Sequence, residues 1–326
     1  MAKSLVSIII PTYNRAHLIA ETLDSIIAQT FTDWECIIVD DGSTDTTKAI
    51  VEAYLDKDQR FKFVTRPKHL PQGGNAARNY GFSISKGQLI NWFDSDDIML
   101  PHFLESRLSF FKDPNVNLVF CSATIINHEK KDIGKLQLDL KTDLFRAYMH
   151  WEFQVITNSV LFRKNYLLTK TLFNEQIVRG QEHEFFSRLF FELNKTQYKI
   201  VNVPLFLYRQ HQGTKTTLNE TYIPEYKTSL AFIYTQNLEK IIQLEDGTLI
   251  KFFFSLIMNI YFDAFKYKHP KVRVYITKRL SSILLRYHFS LIDVVLILQV
   301  MTLFNLQSYR LYKYAIKRVS NYAITN

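Results

Sequence analysis

The sequence predicts an α/β protein in which a doubly wound, mostly parallel sheet occupies the first 120 residues or so and a helical region closes the chain. Three observations carry that expectation. Residues 5–10, 35–39, 61–65, 88–93 and 117–121 are short apolar, β-branched or aromatic runs, as buried parallel strands require. Helical patterns alternate with them. The first covers 17–29, with Leu18, Ile19, Leu23, Ile26 and Ile27 on one face; the others cover 44–55, 75–85 and 101–111, the last with Pro101 in a natural first-turn position. The first, second and fourth runs end in the polar loops PTYNR, DDGSTD and DSDD. In such sheets ligands bind at the carboxyl ends of the strands, so all three loops should open onto one crevice.

Residues 134–225 are less regular, and from about 226 the pattern is helical and rich in Phe, Tyr, Leu and Lys. No internal repeat or low-complexity tract interrupts it. A chain of 326 residues has ample apolar material for a core without disulfides. Cys36 and Cys121 both fall in strand-like runs and read as buried free thiols, which suits a reducing cytoplasm. In the opening MAKSLVSIIIPTYNR, Pro11 ends the apolar run long before a signal peptide would finish, so export by that route is not expected.

The net charge of +9 is unevenly spread: from Glu225 onward there are 14 Lys/Arg and 6 Asp/Glu, a net of +8, leaving +1 for the rest. Aromatic and aliphatic residues interleave with those lysines and arginines. That mixture suits an anionic membrane surface or an acidic partner, or else a helical subdomain that packs or dimerises. The run 289–304 is the most apolar, yet it is shorter than the ~20 residues of a spanning helix and contains Asp293 and Gln299. A buried or interfacial helix is the expectation.

The chemistry concentrates in three motifs. DSDD sets Asp94, Asp96 and Asp97 directly after Leu89, Ile90, Trp92 and Phe93, and each carboxylate raises the cost of ionising the next. Hard oxygen ligands in a strand-end loop suit Mg²⁺ or Mn²⁺ shared with a diphosphate, though three acids could equally form a solvated turn at a helix N-terminus. DDGSTD is good turn and helix-cap chemistry as well as a ligand loop. GGNAARNYG, residues 73–81, lacks GxGxxG and the Walker lysine-serine pair. Its glycines could serve close packing alone, and Arg78 could face an anion or make a surface pair.

Taken together, SIIIPTYNRAHLIAETLDSIIAQTFTDWECIIVDDGSTDTT, GNAARNYG and DSDD with Pro101 four residues on resemble, in this order and spacing, the family 2 glycosyltransferases. These are inverting enzymes with the A-type nucleotide-diphospho-sugar fold. The resemblance is strong over 4–122, thinner to about 215, and absent as a motif match beyond. It implies a catalytic domain over 1–225 and a basic, aromatic helical region over 226–326 that serves membrane association, packing or dimerisation.

The resemblance also implies roles. Pro11, Thr12 and Tyr13 line the nucleotide base and ribose, Asp41 hydrogen-bonds the base, usually uracil, and Arg78 approaches the nucleotide. Asp94 and Asp96 match the metal-binding pair for Mn²⁺ or Mg²⁺, with Ser95 between them on the nucleotide. GQEHEFFSRLFF, residues 180–191, looks like the family's acidic segment, often Glu-Asp with the Asp as general base. Here Gln181 and Glu182 take those positions, a departure that makes Glu182 the base and leaves Glu184 close enough to contest it. Arg209 and His211 match a basic pair that closes over the diphosphate.

The implied activity is inverting transfer of a sugar from a nucleotide-diphospho-sugar, with UDP favoured, to a hydroxyl of a glycan or lipid-linked glycan in cell-surface polysaccharide synthesis. The expected location is cytoplasmic or peripheral on the inner face of the membrane, with no nucleic-acid partner. A sugar nucleotidylyltransferase would normally carry a glycine-rich basic signature near the first strand, which PTYNR does not supply. A haloacid-dehalogenase-type phosphatase has its Asp-x-Asp after the first strand, not the fourth, and a catalytically silent nucleotide- or carbohydrate-binding module remains the non-enzymatic alternative.

Overall fold

Strands β1 (Val6–Thr12) and β2 (Trp34–Asp40) are buried almost without a break, as expected of strands covered on both faces. The structure, a computed structural model, describes residues 6–210 and 222–325, excluding the side chains of 323–325. After β1 and β2 with their helices α1 (Ile19–Ile27) and α2 (Thr47–Leu55) come β3 (Phe61–Thr65), α3 (Gly74–Ile84), β4 (Leu89–Trp92), β5 (Ile98–Met99), α4 (Glu105–Leu108), β6 (Leu118–Ile126) and β7 (Asp132–Lys135). Then follow α5 (Leu144–Met149), β8 (Val160–Arg163), α6 (Lys164–Leu167), α7 (Gln181–Glu192) and β9 (Tyr198–Arg209). Five helices end the chain: α8 (Pro224–Gln243), α9 (Gly247–Lys266), α10 (Pro270–Tyr287), α11 (Ile292–Leu303) and α12 (Tyr309–Thr325).

Among the described residues all nine strands share one sheet, in the order β3-β2-β1-β4-β8-β6-β9-β5, with β7 paired to β6 off this path. β3, β2, β1 and β4 are parallel, while β8 runs antiparallel between β4 and β6. The sheet is therefore parallel where the sequence predicted it and mixed beyond. The irregular segment after 134 supplies the mixing strands. β9 pairs parallel with β6, but the partner of Cys121 is Val201 and that of Ser122 is Pro204, a bulge where proline has no N–H to give the ladder.

The helix expected over 101–111 is shortened to α4 and one 3₁₀ turn, Ser109–Lys112. The Leu100 carbonyl accepts a tight-turn bond from the Phe103 N–H (2.9 Å) as well as one from the Gln29 side chain (2.8 Å), and the Pro101 carbonyl takes the Thr30 N–H (3.0 Å). Below the sheet end, Trp92 packs edge-on to Phe162, Phe173 and Phe185 at 5.1–5.7 Å between ring centroids. Cys36 and Cys121 are buried free thiols, each pushed above its ordinary pKa by burial.

The described residues form two compact units: 6–175 with 184–210, and 176–183 with 222–325. In the second, α9 is long and apolar enough to cross a membrane, yet Leu249, Phe253, Phe254, Ile257, Met258, Tyr261 and Ala264 are buried within the protein.

Two features of the first unit set its stability. Glycine at 81 lets α3 lie on β1 and β2: a Cβ there would collide with the Ile9 γ-methyl and stand 3.1 Å from a Val39 methyl. Both neighbours are buried β-branched side chains with little freedom to yield. Gly81→Ala is expected to lower the unfolding free energy by about 1–3 kcal/mol, measured by urea denaturation. Buried Glu35 accepts hydrogen bonds from Ser7 Oγ and Lys62 Nζ, both at 2.6 Å, and from the Lys86 N–H. Burial pushes its pKa up, but these partners outweigh it and leave the carboxyl below the ordinary 4.5. Its stabilisation is thus present above the unfolded value and lost as pH falls through the lowered folded value. Glu35→Gln should flatten the loss of stability between pH 4.5 and more acid conditions, measured by unfolding at a series of pH values.

Candidate active site

The parallel register brings the ends of β1, β2 and β4 to one edge: Thr12 stands opposite Asp40, the Asp41 N–H donates to the Thr12 carbonyl (2.9 Å), and the Phe93 N–H to that of Ile9 (2.9 Å). The loops that follow are laced together. Asn14, with a left-handed φ of 51°, donates its N–H to Ser43 Oγ (2.9 Å) and accepts at Oδ1 from the Thr44 N–H (2.8 Å). The Arg15 N–H reaches Thr47 Oγ1 (2.8 Å), and that of Ala16 reaches Asp45 (3.1 Å).

The two acids of DDGSTD divide their work. Asp40 folds the turn by accepting from the N–H groups of Gly42 and Ser43, both at 3.1 Å, with Gly42 at a φ of 96° that favours glycine. Asp41 is buried and paired with Arg66, which also donates to the Pro67 carbonyl (3.0 Å). Arg66 follows β3, whose end carried no motif, so sequence reading passed over it. Thr12 Oγ1 and Arg78 Nε, at this edge of the sheet, are among the buried polar atoms of the described residues that have no hydrogen-bond partner. Pro11 is half-buried, Tyr13 is exposed and Ser95 is buried.

The three acids after β4 face different ways. Asp94 meets Arg78 Nη2 at 2.7 Å, and its own N–H donates to Asn158 Oδ1 (3.1 Å). Burial raises its pKa, the Arg78 charge opposes the rise and the neighbouring Asp96 adds to it. Asp96 lies 3.5 Å from Arg15 Nε. Asp97 points inward: it accepts from the Arg209 N–H (2.7 Å) and from the Asn158 amide, while its carbonyl takes the Thr22 hydroxyl (2.8 Å). Burial, then Asp96 and Asp94, push its carboxyl well above the ordinary range. Asp97 thus holds the loop and leaves Asp94 and Asp96 at its rim.

The Arg209 guanidinium is turned to the Asp96 carbonyl (3.0 Å) and to Glu21 (2.8 Å), which also meets Lys130 (3.1 Å). In this arrangement it buttresses the acid loop, a role the Arg-x-His motif did not announce. His211 lies outside the described residues. Arg15 and Asn158 were not anticipated either. Arg15 sits in a motif read for its other residues, and Asn158 lies in an irregular stretch where only tertiary contact gives it meaning.

Among the described residues no cluster of three or more His, Cys, Asp or Glu could hold a metal by itself. Asp94 and Asp96 still fit a magnesium-type cation, because such ions take one or two carboxylates and complete their shell with water and substrate phosphates. Both carboxylates already carry a cationic partner, Arg78 and Arg15, which shows that their charge seeks compensation.

Of the two contested glutamates, Glu184 is committed. It is buried and held bidentately by Arg188 (Nε 2.6 Å, Nη2 3.0 Å), which also donates to the carbonyls of Thr171 and Leu172. Glu182 is half-buried and falls in the 176–183 segment of the second unit. Next to it, burial pushes His183 down to about 4, so the ring is neutral.

Sheet order, strand-end loops and the Asp-x-Asp pair define an A-type glycosyltransferase fold. The description Glycosyl transferase family 2 matches residues 7–170, and the chain belongs to that family. It is 27% identical over 225 residues to the glycosyltransferase GlyG of Streptococcus pneumoniae, covering 64% of this chain and 72% of that one. It is 35% identical over 124 residues to WfgD of Escherichia coli, named a UDP-Glc:alpha-D-GlcNAc-diphosphoundecaprenol beta-1,3-glucosyltransferase, covering 38% of this chain and 47% of that one. S. aureus TarS 1–349, crystallised with UDP-GlcNAc, shares the fold at a TM-score of 0.60 and 17% identity, over 84% of this chain and 85% of that one.

Asn158 is the test of how the acid loop is held. Asn158→Ala removes one of the two donors to buried Asp97 and the acceptor of the Asp94 N–H, and should cost about 1–3 kcal/mol in urea unfolding. Asn158→Asp keeps the shape but adds a fourth carboxylate, and should cost more.

Proposed function

We propose that this glycosyltransferase moves a sugar from a nucleotide-diphospho-sugar, with UDP as the nucleotide, to a hydroxyl of a glycan or lipid-linked glycan during polysaccharide synthesis, inverting the anomeric centre. The observation that carries the reading is the paired rim acids Asp94 and Asp96, each beside an arginine, at the strand end where Asp41 and the unpartnered Thr12 hydroxyl converge. The UDP-glucose in WfgD's name and the UDP-GlcNAc bound to TarS support the donor class, and the lipid diphosphate in WfgD's name supports the acceptor class.

In this reading Pro11, Thr12 and Tyr13 receive base and ribose, and Asp41 accepts from the base. A bound Mn²⁺ or Mg²⁺ would be held by Asp94 and Asp96 and would supply charge stabilisation for the leaving diphosphate. Arg78 and Arg15, released from the acids, turn their donors to the phosphate oxygens. Glu182, assigned by its sequence register, takes the proton of the attacking hydroxyl; a general base contributes ~10²–10⁴-fold. A single displacement through an oxocarbenium-like state needs no covalent sugar-enzyme intermediate.

A donor panel read by nucleoside diphosphate release tests the reading. Release from one nucleotide-sugar with an acceptor present, abolished by EDTA and restored by Mn²⁺ or Mg²⁺, is expected. Asp96→Ala should remove it, and Glu182→Gln should lower turnover by ~10²-fold or more while leaving donor affinity in calorimetry unchanged. Full transfer by either purified variant would sink the role assigned to that residue. Donor binding without turnover across the panel would identify a silent binding module.

A further inference from the structure

A helix that is apolar on all sides is normally enclosed by its protein or by lipid. α11, with sequence IDVVLILQVMTL, is enclosed on one side only. Val294, Val295, Leu298 and Met301 are buried, whereas Phe289, Ile292, Leu296, Val300, Leu303 and Phe304 follow one helical stripe and the turn after it in the open. Exposure is highest at the ends: Phe289 68%, Leu303 79% and Phe304 77%. Single exposed apolar residues are ordinary on soluble proteins; a continuous stripe of this kind marks an interaction surface.

The charge around the stripe says what covers it. Asp293, the acid of this apolar run, is occupied by α12: Tyr314 donates its hydroxyl to it at 2.7 Å and Arg318 Nε lies 3.2 Å away. No acid is therefore left to oppose an anionic partner along α11. On α12, Arg310, Lys313 and Lys317 are exposed at i, i+3 and i+7, with Tyr309 and Tyr314 exposed among them. Apolar stripe, interfacial aromatics and a basic helix face in one hairpin are the features of an element lying in the plane of a bilayer. The length agrees, since 12 residues extend about 18 Å and cannot cross a hydrocarbon core of about 30 Å.

We propose that the α11–α12 hairpin is a membrane-docking element that buries the Phe289–Phe304 stripe in an anionic bilayer while Arg310, Lys313 and Lys317 meet the lipid phosphates. Because the helices and the transferase domain are one chain, docking raises the concentration of the enzyme at any acceptor carried by that membrane.

The test is flotation of the full chain with vesicles of phosphatidylglycerol and phosphatidylethanolamine, against neutral phosphatidylcholine vesicles, at low and high salt. The protein should float with the anionic vesicles and less at high salt. Leu303→Glu/Phe304→Glu should lower partitioning at least about tenfold, with the thermal midpoint unchanged because both side chains are exposed. Lys313→Gln/Lys317→Gln should lower it roughly twenty-five-fold, about fivefold per charge. A parent protein that stays soluble, a Leu303→Glu/Phe304→Glu variant that floats undiminished, or equal binding to neutral vesicles would overturn the proposal. So would a parent dimer in sedimentation that becomes a monomer in the variant without any vesicle binding, which would make the stripe a contact between two copies. Nucleoside diphosphate release with a soluble acceptor, measured on the same samples, should not change; its absence with flotation intact would bear on the donor reading alone.

Discussion

Three carboxylates in four residues cannot all face the same solvent pocket at low cost, and the site is organised by how that repulsion is relieved. Asp97 turns inward and becomes a structural acceptor for the Arg209 N–H and the Asn158 amide. Arg209 then spans from the Asp96 carbonyl to Glu21 on α1, so the strand-end loop is clamped to the first helix and to the last strand of its sheet together. Asp94 and Asp96 are left at the rim with one arginine each. The apolar cluster around Trp92 supports this from below, where its indole donates to the Arg78 carbonyl (3.2 Å). Packing and charge are therefore coupled at one position of the backbone.

The parallel half of the fold was legible because its periodicities are local. Continuous apolar runs at β1, β2 and β4, with one-faced helices between them, can form little else, and their polar ends lie at one edge of the sheet as their order in the chain implied. What escaped was tertiary. β8 is a four-residue strand and β9 is half-exposed and interrupted by Pro204, so neither stands out from its surroundings. The helix after Pro101 follows a valid local pattern, but its first turn tightens onto Leu100 and its carbonyls are shared with Gln29 and Thr30. Arg15, Arg66 and Asn158 have no spacing signature, because what they do is set by partners 25 to 81 residues away in the chain.

The glycine-rich segment illustrates how a local reading divides under tertiary constraint. Gly81 is a packing glycine against β1 and β2, while Gly74 leaves room for the Arg78 guanidinium, whose Nη1 would stand 3.0 Å from a Cβ there. Glu182 and Glu184 diverge in the same way: Glu184 is buried and held bidentately by Arg188, whereas Glu182 is half-buried in the 176–183 segment.

The pairing of Arg78 with Asp94 and of Arg15 with Asp96 gives the two rim acids counterions from the protein's own side chains. The crevice therefore balances part of its charge internally, and any cation competing for these carboxylates would have to displace a guanidinium group from each.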